Sequence, residues 1–163
     1  MKISNSELNN NVAEGIGGGI YSATNKCEIE LYNTKITNNS TKEGSGGGIY
    51  AYGNLIIDGE NTLISNNEAG TYGGGIVVKT QCLIKNCVIC KNKALKNCGG
   101  GICVEGNLLL EKAKIFLNSC EERGGGIYYS SSKKFLYDKN KIDSMVYDNT
   151  ATINGNNFYP EIN

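Results

Sequence analysis

Two sets of residues in this chain could do chemistry. The first is a group of seven cysteines, at positions 27, 82, 87, 90, 98, 103 and 120; Cys87 and Cys90 form a C-x-x-C pair. That spacing suits zinc or thiol redox chemistry. No second C-x-x-C follows and the chain contains no histidine, so neither a metal nor another cofactor is expected. The second set is Tyr32, Asp58, Lys85 and Glu111, which recur at intervals of 26, 27 and 26 residues, with Glu28 and Glu30 close by. Carboxylates beside a basic residue are what polysaccharide-cleaving sites need. The plainer reading is a solvated row of alternating charges, each pair worth about 0–1 kcal/mol. With only four aspartates and no local acidic cluster, the plainer reading is preferred and the chain is not expected to be an enzyme.

The intervals in that row reflect a repeat that runs through the whole chain. G-G-G-I-Y stands at 17–21, 46–50 and 124–128, G-G-G-I-V at 73–77 and G-G-G-I-C at 99–103. The triplets start 29, 27, 26 and 25 residues apart. Between them an aliphatic residue precedes an asparagine by three: Leu8 to Asn11, Ile36 to Asn39, Ile64 to Asn67, Ile89 to Asn92, Ile115 to Asn118 and Val146 to Asn149. After Asn149 the same spacing lands on G-N-N-F-Y, a worn copy of the triplet. An apolar-x-apolar element lies between the two: Ile29 and Leu31, Leu55 and Ile57, Cys82 and Ile84, Leu108 and Leu110. The units fall near 1–16, 17–45, 46–72, 73–98, 99–123 and 124–163, within a single domain spanning 1–163.

Short alternating stretches argue for strands, and glycine triplets exclude long helices. Units of this period stack as turns of a coil, each burying its apolar residues against its neighbours. The expected fold is therefore all-β: a right-handed parallel β-helix of about six rungs, with three strands per unit, spaced about 4.8 Å apart. The glycines round a tight corner. Ile20, Ile49, Ile76, Ile102 and Ile127 stack inside. Asn11, Asn39, Asn67, Asn92, Asn118 and Asn149 form a ladder of side-chain amides along the rod, and Asn92→Ala is expected to cost about 1–3 kcal/mol. The segment SSSKKFLYDKNKIDSM is read as a bulging loop.

The G-G-G-I motif with aliphatic-x-x-Asn resembles the polymorphic outer-membrane protein repeat, from Ile3 to Tyr159, although Leu, Ile or Val replaces that family's phenylalanine in every copy. Members look like β-helices of the pectin-lyase-like kind, and the resemblance implies a surface scaffold or adhesin, placed outside the cell or at its surface. The N-terminus has no signal-peptide core, which fits either another route or a piece of a longer chain.

The rows suggest where such a rod meets other molecules. Ile56, Leu83 and Leu109 lie between inward positions, so they point outward and form an apolar strip suited to a protein partner or a larger assembly. Tyr21, Tyr50 and Tyr128 share an outward row and could stack sugar rings; cross-strand aromatic packing is the alternative. Cys82, Cys87 and Cys120 fall at inward positions, whereas Cys27, Cys90, Cys98 and Cys103 are expected at turns or facing outward. Sixteen basic and sixteen acidic residues cancel, and Arg123 is the one arginine, a poor basis for binding nucleic acid. No apolar run is long enough to span a membrane. Three functions follow: a non-catalytic structural or adhesive rod, a carbohydrate-binding or carbohydrate-cleaving rod, and an intracellular scaffold docked through the strip.

Overall fold

The computed structural model describes residues 1–129, 134–137 and 141–160. Among them, 24 short strands form four parallel six-stranded sheets, one strand per sheet in each of about six turns. Face A contains Lys2–Ser4, Glu28–Tyr32, Asn54–Asp58, Gln81–Lys85, Asn107–Glu111 and Phe135–Leu136. Face B begins with Glu7–Asn9, face C with Val12–Ala13 and face D with Ile20–Ser22. The coil thus has four strands per turn, not three. The additional strand, exemplified by Ser40–Thr41 and Glu68–Ala69, lies just beyond each ladder asparagine. At two residues it is too short for alternation to announce.

Register follows the repeat. Ile20, Ile49, Ile76, Ile102 and Ile127 are paired in succession, with Phe158 from the worn final copy completing the row. Ile36, Ile64, Ile89, Ile115 and Val146 form a second inner row. These side chains fill one continuous core. At roughly 1.5–3 kcal/mol for each fully buried aliphatic side chain, that core supplies most of the driving force for the coil.

Corners impose a special backbone. The residue before each ladder asparagine is left-handed: Asn10, Asn38, Asn66, Lys91, Leu117 and Asp148 have φ between 51° and 57°. Asparagine tolerates that region, which explains the recurring Asn-Asn pairs. Leu117 does not suit it, and its side chain is 49% exposed, so little burial depends on it. Leu117→Asn is expected to raise stability by about 0.5–1 kcal/mol, read as a higher urea midpoint; a lower midpoint would show that the corner is not strained.

The glycine triplet serves three needs, only one of them conformational. Gly73, the first of its triplet, has φ +61°. A Cβ on the second, Gly74, would lie 2.4 Å from backbone atoms of Lys93 and 2.5 Å from the Gly100 carbonyl oxygen. A Cβ on the third, Gly75, would lie 2.6 Å from the Gly101 carbonyl oxygen and 3.1 Å from the Asn92 amide. Close approach of neighbouring turns, more than the corner itself, therefore requires glycine at the second and third positions.

The segment read as a bulging loop also supplies structure. Phe135–Leu136 pairs with Leu108 and Leu109 as the last strand of face A. A single helical turn, Ile142–Met145, follows, with Ile142 and Met145 packed into the core. The remainder of that loop expectation, at 130–133 and 138–140, lies outside the described residues.

Candidate functional site

The asparagine ladder is the most regular polar feature. Asn39 donates from its backbone N–H and its Nδ2 to Asn67 Oδ1, at 2.9 and 3.0 Å. Asn67 does the same to Asn92, Asn92 to Asn118, and Asn118 to Asn149, all at 2.9–3.0 Å. Each Nδ2 also donates to the carbonyl of the aliphatic residue one turn earlier, as Asn92 does to Ile64 at 2.9 Å. These five amides are buried. Asn11 donates into the ladder from an exposed position. Asn157 Oδ1 receives the bonds from Asn149, at 3.2 and 3.1 Å, and ends the series. Asn157 stands at the third-glycine position of the worn copy G-N-N-F-Y, where the other copies carry no side chain, so the repeat gave no signal for its part in the ladder.

The charged row on face A is tied down by its own members. Tyr32 pairs with Asp58, and Lys85 with Glu111. Lys85 Nζ is 2.8 Å from Glu111, and the Glu111 carboxylate holds Lys85 above the ordinary lysine value. A lysine serving as proton acceptor needs the opposite shift. Asp58 Oδ1 accepts from the Gly59 N–H at 2.7 Å and the Asn86 amide at 2.8 Å. Glu30 is paired with Lys2 at 3.9 Å, and Glu28 lines the edge of the neighbouring apolar groove.

The apolar strip is in register. Ile56, Leu83 and Leu109 stack in successive turns, and Leu136 extends the row, 55% exposed. Glu30 and Lys2 continue it in the earlier turns. A groove of about 310 Å³ follows the strip, bounded by the amide row Asn54, Gln81 and Asn107. Its lining comes from face A alone. Leu136 was legible in principle, because F-L in KKFLYD matches L-L in NLLLE, but the irregular spacing before it hid the match.

The tyrosine row on face D is interrupted. Tyr21 and Tyr50 pack at a tilt, ring centres 5.9 Å apart, while Tyr128 stacks on Tyr159 at 5.7 Å. Val77 and Cys103 occupy the row between the two pairs. The result is a groove of about 630 Å³, floored by Val77 and Cys103 and walled by Tyr50, Tyr72 and Tyr128. The Lys79–Glu105 ion pair forms one edge. Burial is the largest influence on Lys79 and pulls it down, but the hydrogen bond to Glu105, the charge of that carboxylate and the Tyr50 hydroxyl together outweigh it and keep Lys79 raised. Tyr72, Lys79 and Glu105 were not singled out from the sequence, although Lys79 and Glu105 recur at the repeat interval.

The cysteines are more buried than an outward register alone suggests. Cys82, Cys87 and Cys120 are buried, as their inward register implies. Cys90, Cys98 and Cys103 are buried as well, at 8%, 5% and 4% exposure, and Cys27 alone is exposed. Larger side chains one turn away close over the small thiols. Cys90 sits beside Phe116 and Cys103 beside Tyr128 in register, and Cys98 lies 3.8 Å from Glu122. Burial pushes Cys87 and Cys103 up to about 12 and Cys98 to about 11, and raises Cys82, Cys90 and Cys120 too. A hydrogen bond to Thr24 lowers Cys27. All seven are unpaired thiols. Among the described residues no three His, Cys, Asp or Glu side chains are grouped to hold a metal ion.

Thiolates are the reactive form, so a maleimide is expected to label one thiol in the native protein and seven after denaturation. The native rate should rise with pH and reach half its maximum below the ordinary thiol value, because the shift on Cys27 is downward. Mass spectrometry of labelled peptides checks both points. Rapid native labelling at Cys98 or Cys103 would show that the outer packing opens.

No family model, no curated protein and no solved structure matches this chain. Its fold defines its class, a parallel β-solenoid of about six turns. Among the described residues, no helix is long and apolar enough to cross a membrane.

Proposed function

We propose that this chain is a non-catalytic structural and interaction solenoid, a stiff rod that docks other molecules along its flat outer faces. The observation that carries the reading is the strip of Ile56, Leu83, Leu109 and Leu136, in register over four turns and facing outward, with Leu136 exposed and the other three half-buried. Such a contiguous apolar row is uncommon unless something covers it. The state of the charged row supports the same reading, since Lys85 is paired with Glu111 and raised rather than poised as a base. The resemblance to polymorphic outer-membrane protein repeats favours display at a cell surface. A reducing intracellular setting, favoured by seven unpaired thiols, would suit the same docking strip.

A second reading is favoured by the groove on face D. Its apolar floor and tyrosine walls suit sugar rings lying against aromatic faces, with Tyr50 and Tyr128 in contact. A panel of soluble polysaccharides tests both readings, with retention and product release recorded separately. Neither retention nor product is expected for the docking rod. Retention that is lost in Tyr128→Ala would establish the glycan groove instead. Product release would overturn the non-catalytic reading and direct attention to Asp58, Lys85 and Glu111.

A further inference from the structure

We infer that the apolar strip on face A pairs with the same strip of a second copy of this chain, the two rods lying antiparallel. This rests on reading the strip as a docking surface, and it names the partner. Four aliphatic residues form the strip, and its midpoint falls between the strands of Leu83 and Leu109. The flanking charged row has its opposite charges at that same level, Lys85 on one strand and Glu111 on the next.

A two-fold axis parallel to the strands and running through this midpoint satisfies both rows at once. It sets Leu83 against Leu109 of the second copy, and Ile56 against Leu136. On one flank it sets Lys85 against Glu111 of the second copy and Glu111 against Lys85, so that each charge gains a second opposite charge. On the other flank Gln81 meets Asn107, two amides that can donate to and accept from one another. Self-complementarity of this kind is what an isologous interface requires. The alternative axis, along the rod, would lay the charged row over the amide row and pair no charges.

The face is large enough for reversible association only. Under this axis the four turns that carry Ile56, Leu83, Leu109 and Leu136 overlap; at about five residues across they span roughly 17 Å by 19 Å, about 320 Å² per copy. Two such faces bury about 650 Å², below the range of stable specific interfaces and in that of weak, transient ones. A dimer that forms and separates with concentration is the consequence.

Sedimentation velocity of the full chain over about 1–300 µM tests this, using wild type, Lys85→Glu and Glu111→Lys. Wild type should dimerise with increasing concentration. Each single variant places like charges across the axis and should weaken dimerisation at least about tenfold. An equimolar mixture of the two should recover it, because the carboxylates of one variant then face the lysines of the other. Circular dichroism of each variant confirms that it remains folded. A wild type that stays monomeric throughout overturns the proposal, as do single variants that dimerise unchanged or a mixture that fails to recover. Binding of an apolar dye, compared between wild type and Leu83→Asp, separates the two levels of the argument. A monomer whose dye binding is lost in Leu83→Asp refutes self-pairing but keeps the docking strip. A monomer with no such difference refutes both.

Discussion

Gly74→Ala is expected to prevent folding or to cost more than about 5 kcal/mol, beyond the usual range for a single substitution. The added methyl would lie 2.4 Å from the Lys93 backbone and 2.5 Å from the Gly100 carbonyl oxygen. Neither is the end of a flexible side chain, so relief requires two turns of the coil to separate. Separation would in turn stretch the Gly74 N–H to Gly99 carbonyl bond, now 3.2 Å, and the adjoining bonds of the same corner. Gly15→Ala is the control, because no atom lies within 4 Å of its added Cβ, and it should melt with wild type. Thermal unfolding followed by circular dichroism decides. A Gly74→Ala protein melting within a few degrees of wild type would mean that the turns are not packed this closely.

Asn92→Ala is expected to lower the free energy of unfolding by about 3 kcal/mol, at the upper end of the range for an unsatisfied buried group. The substitution removes two bonds accepted from Asn67 and two donated to Asn118 and Ile64. It leaves the Asn67 N–H buried without a partner and removes one of the bonds that the Ile64 carbonyl accepts. Asn92→Asp should be worse, since it places an oxygen where Nδ2 now donates to two acceptors. Asn11→Ala, at the exposed end of the ladder, should cost under about 0.5 kcal/mol. Urea unfolding of the three variants gives the comparison. Equal losses at Asn11 and Asn92 would show that burial does not amplify the ladder.

Much of this architecture is legible in the repeat. A parallel coil places each residue about 4.8 Å from its equivalent in the next turn, so a recurring residue type becomes a row. That is why Ile20 to Ile127, Asn39 to Asn149 and Ile56 to Leu109 could be placed in register from spacing alone. The Asn-Asn pairs likewise encode a left-handed corner followed by a ladder position. Leu117 and Lys91 obscure that signal, because neither side chain favours the conformation its position imposes.

The outer faces were less legible. Alternation determines whether a side chain points in or out, but exposure depends on how large the side chains one turn above and below are. Cys103 and Val77 point outward and are nonetheless buried, because Tyr50 and Tyr128 rise on either side. The same geometry turned an expected tyrosine platform into a groove. The fourth strand of each turn, the end of the ladder at Asn157 and the return of Phe135–Leu136 to face A were decided by tertiary structure too. The first of these recurs in every turn but is too short for alternation to reveal, and the other two lie where the repeat is worn or irregular, so each rests on contacts between residues far apart in sequence. The sequence by itself determined the all-β repeat, its rows and the residues in them. Only the folded coil decided which of those rows stay open to solvent, because an outward side chain is covered or left bare by the turns stacked against it.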